Sequence, residues 1–119
     1  METPVRIQRS RITKQVSPNG LPIVYVGRPG KWGNPFRVEQ MGKEIWRVKT
    51  GNPDLFDIIL RHYYFEYETK QEAVDVAVEC FRIYIKNTLV DELKGKNLSC
   101  WCSLKCKCHA DVLLKLANP

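Results

Sequence analysis

Asn97-Leu98-Ser99-Cys100-Trp101-Cys102 reads as a β-strand, and it arrives late in the chain, after two helical stretches. With it, the order of elements becomes β, β, hairpin, α, α, β, α. That order indicates an α/β or α+β domain: a small central sheet packed with two or three helices. At 119 residues the chain has room for one compact domain over 1–119 and none for a second independent core.

Working outward from that strand, His109 to Leu116 follows as a short helix with Val112, Leu113 and Leu116 inward. Before it, Thr69-Lys70-Gln71-Glu72 is a capping-box pattern opening a longer helix. Ala73, Val74, Ala77, Val78, Phe81 and Ile85 form its apolar stripe, Cys80 packs beside that stripe, and Gly95 is the expected stop. Asn52-Pro53-Asp54 opens another helix, with Leu55, Ile58, Ile59 and Tyr63 at helical spacing and His62 on its surface. Phe36–Glu39 and Glu44–Val48 form a hairpin around Met41-Gly42-Lys43. Near the N-terminus, Val5–Arg9 alternates as a short strand, and Pro22-Ile23-Val24-Tyr25-Val26 is a β-branched run suited to a buried one.

Composition narrows the class. Hydrophobic residues make up 44% and charged residues 27%, which excludes wholesale disorder. No apolar run approaches the ~20 residues of a membrane span, and the N-terminus lacks a signal-peptide core. A soluble, cytoplasmic protein is the expectation. The net charge of +6 is uneven. Residues 1–51 hold ten Lys/Arg against three Asp/Glu, residues 52–93 four against nine, and residues 94–119 five against one. Basic ends that meet in the fold would form an anion site; separate solubilising faces are the plainer alternative.

Two segments carry possible chemistry. Val24 to Phe36 runs a strand into a Gly-rich loop with two cations, an indole and an amide. Arg28 and Lys31 suit phosphate or carboxylate, Trp32 could stack on a base or sugar, and Asn34 could read a base edge. The structural alternative is a turn in which Trp32 and Phe36 plug the core. The spacing is neither that of a P-loop nor of a dinucleotide fingerprint.

The second segment holds Cys100, Cys102, Cys106, Cys108, His109 and Asp111. Without a secretory signal, such clustering favours metal or reactive thiols over disulfides. Cys100 and Cys102 would share one strand face, with Trp101 on the other. Cys100, Cys102, Cys108 and His109 would complete a tetrahedral zinc site, although the spacing is uncommon and adjacent ligands are awkward. Alternatively, Cys108 at a helix N-terminus beside Lys105 and Lys107 is an activated nucleophile, with His109 and Asp111 as proton-transfer groups. Asp111 as a first-turn helix stabiliser is the structural alternative.

Taken together, Val24–Arg28, Lys31–Phe36, Leu93–Cys102 and Cys108–Leu113 resemble a small family of bacterial and phage proteins, the domain of unknown function DUF4326. The resemblance spans about Val5 to Asn118 and implies a Cys-Trp-Cys and Cys-His-Ala-Asp pairing. Cys106 departs from that pattern, which favours Cys100, Cys102, Cys108 and His109 as the set that matters. No established activity comes with it, and phage occurrence implies nucleotide or nucleic-acid business.

The leading expectation is a domain that binds or processes a nucleotide, nucleoside or modified base. Arg28, Lys31, Trp32 and Asn34 would bind it, and Cys108, His109 and Asp111 would supply chemistry across the sheet ends. The alternatives are a non-catalytic nucleic-acid binder, a phage protein sequestering a nucleotide in an oligomer, and a structural zinc domain.

Overall fold

The computed structural model describes residues 2–12, 14–62 and 66–119, with residues 60–62 described by backbone alone. The architecture is α+β, with five strands and three α-helices among the described residues. They are β1 (Arg6–Gln8), β2 (Ile23–Tyr25), β3 (Phe36–Gly42), β4 (Ile45–Thr50), α1 (Phe56–His62), α2 (Lys70–Ile85), β5 (Asn97–Cys100) and α3 (His109–Ala117). This is the order read from the sequence. None of the described helices is long and apolar enough to cross a membrane.

The chain divides into two compact units, residues 1–33 with 88–119, and residues 34–87. The first contains a three-stranded parallel sheet in the order β1-β5-β2. Its central strand is the last in sequence. All four residues of β5 are buried, as expected of a parallel strand covered on both faces. Asn97 and Ser99 are its polar residues, and the Asn97 side chain is fully used. Its Oδ1 accepts from Val5 N–H at 3.0 Å, and its Nδ2 donates to Asn19 Oδ1 at 2.8 Å and Ser17 Oγ at 3.3 Å. One amide thus ties the strand to the N-terminal segment and to the turn before β2. Leu98, Val26, Leu93, Ala110 and Leu113 form the apolar core of this unit.

The second unit is an antiparallel β3–β4 hairpin covered by α1 and α2. The hairpin forms its own two-stranded sheet rather than joining the central one. A register shift between Gln40 and Gly42 accounts for the imperfect alternation in its sequence. Asn52 caps a short 3-10 turn at Pro53–Leu55, so α1 begins one turn later than the sequence indicates. Thr69 Oγ1 accepts from Glu72 N–H at 3.2 Å, confirming the cap of α2. Ala73, Ala77, Val78, Phe81 and Ile85 are buried as their spacing predicts, and Cys80 is fully buried among them. Tyr63 lies outside the described residues, as does the side chain of His62.

Two boundaries differ from expectation. Helix α2 ends at Ile85, well before Gly95, which instead takes φ +73° after a 3-10 turn at Asp91–Leu93. Strand β5 ends at Cys100, so Trp101 and Cys102 belong to the turn beyond it and not to alternate strand faces. That second difference determines how the cysteines meet.

Candidate metal centre at the carboxyl edge of the parallel sheet

Because β5 stops at Cys100, the chain bends back immediately and returns Cys102 toward it, with the two Sγ atoms 3.7 Å apart. The turn then leads to Cys108, the N-cap of α3. The Sγ atoms of Cys100, Cys102 and Cys108 all lie within 4.8 Å of one another. Cys100 and Cys108 are buried and Cys102 is the most open of the three. Cys106 stands apart from this group, and Cys80 is in the other unit.

The helix cap holds Cys108 in place. Its Sγ accepts from Ala110 N–H at 3.5 Å, and its own N–H donates to Asp111 Oδ2 at 3.2 Å, a capping box with sulfur in the serine role. Asp111 Oδ1 also pairs with Arg6 Nε at 3.2 Å. The Arg6 side chain is only 8% exposed, and its Nη2 donates to the carbonyls of Ser103 and Cys106 at 3.1 and 2.9 Å. One guanidinium therefore clamps both the turn between the cysteines and the start of α3. Its Nη1 is buried and has no hydrogen-bond partner among the described residues.

Thiol hydrogen bonds from Cys100 and Cys102 pull the Cys108 thiol far below its ordinary range, with the Ala110 N–H and Arg6 assisting, against the opposing effect of burial. Cys102 is pushed the other way, held protonated by its hydrogen bonds with Cys100 and Cys108 and by burial. The cluster thus concentrates negative charge on one sulfur beside a buried cation. Three sulfurs this close could hold a soft metal ion.

His109 adjoins the group without being one of its three members. Its Nε2 lies 2.6 Å from the Val26 carbonyl, which can only accept, so Nε2 carries the proton. Nδ1 then faces Cys108 Sγ at 3.5 Å. Burial lowers the imidazole pKa, partly opposed by the Val26 hydrogen bond. Through this bond the Cys-His motif meets the end of β2, where the Gly-rich loop begins.

The remaining expected residues fall into different settings. Arg28 is exposed, and its charge reaches His109. Lys31 Nζ pairs with Glu92 Oε1 at 2.6 Å. Trp32 is 9% exposed, and its Nε1–H donates to the same carboxylate at 3.0 Å, so the indole packs and anchors the loop. Asn34 belongs to the second unit, where its Oδ1 accepts from Phe36 N–H and its Nδ2 donates to the Ala77 carbonyl. Trp32 and Asn34 thus occupy structural positions, and Phe36 is fully buried. Asp111 holds Arg6 and the helix cap.

A family model for a domain of unknown function, DUF4326, matches residues 5–119. The chain belongs to the DUF4326 family. Neither the curated proteins nor the solved structures contain a match to it. For this DUF4326 chain, sequence reading missed Arg6 altogether. Alternation in Val5-Arg6-Ile7 gave it no distinction, and only its burial against a cluster some hundred positions away marks it.

Proposed function

We propose that this DUF4326 domain is a zinc-binding module, with Cys100, Cys102 and Cys108 as thiolate ligands and His109 Nδ1 as the fourth donor. The convergence of the three Sγ atoms carries the reading. With Zn–S near ~2.3 Å and Zn–N near ~2.0 Å, a tetrahedral site has S–S edges of about 3.8 Å and S–N edges of about 3.5 Å. The Cys100–Cys102 separation of 3.7 Å and the Cys108–His109 separation of 3.5 Å match two of those edges, and His109 would have to draw closer to the other sulfurs as the ion binds. Three thiolates and one Zn2+ leave a single negative charge, and the buried Arg6 guanidinium, shared with Asp111, is the cation beside it. The ion would fasten the end of β5 to the start of α3, across a turn with little apolar core of its own.

Native mass spectrometry of protein purified without added metal tests this. One zinc per chain is expected, lost in Cys108→Ser. Should Cys108→Ser fail to fold, Co2+ substitution of the unaltered protein provides an independent readout, a thiolate-to-cobalt charge-transfer band. A folded, metal-free protein that takes up neither Zn2+ nor Co2+ overturns the reading.

Binding or processing of a nucleotide, nucleoside or modified base at the same edge is a second reading. It is favoured by a charge imbalance in this unit of eleven Lys/Arg against four Asp/Glu. The same spectra would show any retained nucleotide as a mass adduct.

A further inference from the structure

The three parallel strands end side by side, and each places a cationic or aromatic residue at its carboxyl end. Arg9 follows β1 and is held by its N–H, which donates to the Cys100 carbonyl at 2.8 Å. Tyr25 is the last residue of β2, and Trp101 follows β5. Arg9 lies over both rings, 4.7 Å from the Tyr25 centroid and 5.6 Å from that of Trp101. Arg11 lies over the Trp101 ring as well, at 5.8 Å.

Trp101 is 45% exposed, a large apolar surface to leave in water on a small domain. The other rings of this unit are less open: Trp32 is buried, and Tyr25 is half-buried with its hydroxyl donating to the Arg28 carbonyl at 2.8 Å. An exposed indole flanked by guanidinium groups is equipped to bind a flat, anionic chain. Bases stack on the ring and on the guanidinium planes, while phosphates neutralise the arginines. In open sheets with parallel strands, ligands settle outside the carboxyl ends of the strands, where these residues are.

We infer that this edge is a stacking platform for single-stranded nucleic acid, built from Trp101, Arg9, Arg11 and Tyr25. Charge complementarity selects the occupant. The unit holding the platform carries eleven Lys/Arg against four Asp/Glu, whereas the other holds eight against nine. Lys105 and Lys107 continue the positive charge along the turn after Trp101, and both are exposed. A duplex would offer phosphates but keep its base faces stacked away from the indole, so the exposed ring favours a single strand. The platform uses none of the proposed zinc ligands, and the inference stands without the metal.

The test is fluorescence anisotropy of the full chain, as purified, with labelled oligo(dT) and oligo(rU) of about 15 nucleotides and a duplex of equal length. Single strands are expected to bind more tightly than the duplex. Trp101→Ala should lose about tenfold in affinity and Trp101→Phe much less, reflecting stacking. Arg9→Gln should weaken binding and flatten its dependence on salt between about 50 and 200 mM. Trp101 is exposed, so these variants should keep the circular dichroism spectrum of the parent. Equal binding of duplex and single strand, with Trp101→Ala unchanged, would reveal a general basic surface and overturn the platform. So would absence of oligonucleotide binding at the lowest salt.

Discussion

The imidazole of His109 donates through Nε2 to the Val26 carbonyl across 2.6 Å, joining residues 83 positions apart in sequence. This bond fixes the ring, determines the tautomer and aims Nδ1 at Cys108. Both groups are buried, so removing one leaves the other without water to replace it. His109→Ala should cost about 2 kcal/mol of unfolding free energy, measured by urea denaturation with chelator present so that metal binding does not contribute. A loss indistinguishable from zero would show that the bond does not hold this edge together.

Arg6 is the residue on which the turn and the helix start both depend. Arg6→Met keeps the aliphatic bulk but deletes the ion pair with Asp111 and the two carbonyl bonds. Asp111 is half exposed, so its orphaned charge is partly rehydrated, and the expected cost is about 2–3 kcal/mol. Zinc affinity, measured by competition with a chromophoric chelator, should fall by about 10–100-fold, as for other groups that orient metal ligands. Asp111→Asn, which keeps the shape of the cap but leaves the buried Arg6 guanidinium without its carboxylate, should cost at least as much, about 2–3 kcal/mol.

Cys80 provides a chemical contrast within the same chain. It is fully buried in α2, and burial pushes its thiol up to about 11, with Glu79 adding to the effect. Native protein treated with iodoacetamide near pH 8 should be alkylated at Cys106 first and not at Cys80, as read by peptide mass mapping. The folded state retains the Cys80 proton beyond the pH at which the unfolded chain releases it. That contribution to stability is present below the ordinary thiol value and is lost as pH rises toward about 11. Cys80→Ala should flatten the alkaline limb of a stability–pH curve.

Gly27 makes room for Tyr25. A Cβ there would overlap the tyrosine hydroxyl, which folds back to reach the Arg28 carbonyl. Gly27→Ala should therefore expel the ring rather than unfold the sheet, because the clash is with the end of a side chain. The expected result is a small stability change with a clear rise in tyrosine solvent exposure, read by second-derivative absorbance. Loss of the folded state instead would mean that the backbone itself requires glycine here.

Sequence alone was sufficient for the element order, because capping and periodicity are local. Asn52 before Pro53, Thr69 before Glu72 and the stripe from Ala73 to Ile85 all report on neighbours within two turns of a helix. It also grouped Cys100, Cys102, Cys108 and His109, of which the three sulfurs lie together in the fold. What it could not contain was which residues the sheet brings together. The order β1-β5-β2 places the last strand between the first two, and that alone puts Arg6, Arg9 and Tyr25 beside a turn some eighty to a hundred positions away. The same limit applies to Trp32, whose loop context suggested a ligand and whose actual partner is Glu92. Local spacing determines whether a segment becomes strand or helix; strand pairing and burial, both long-range, decide which side chains bind and which pack.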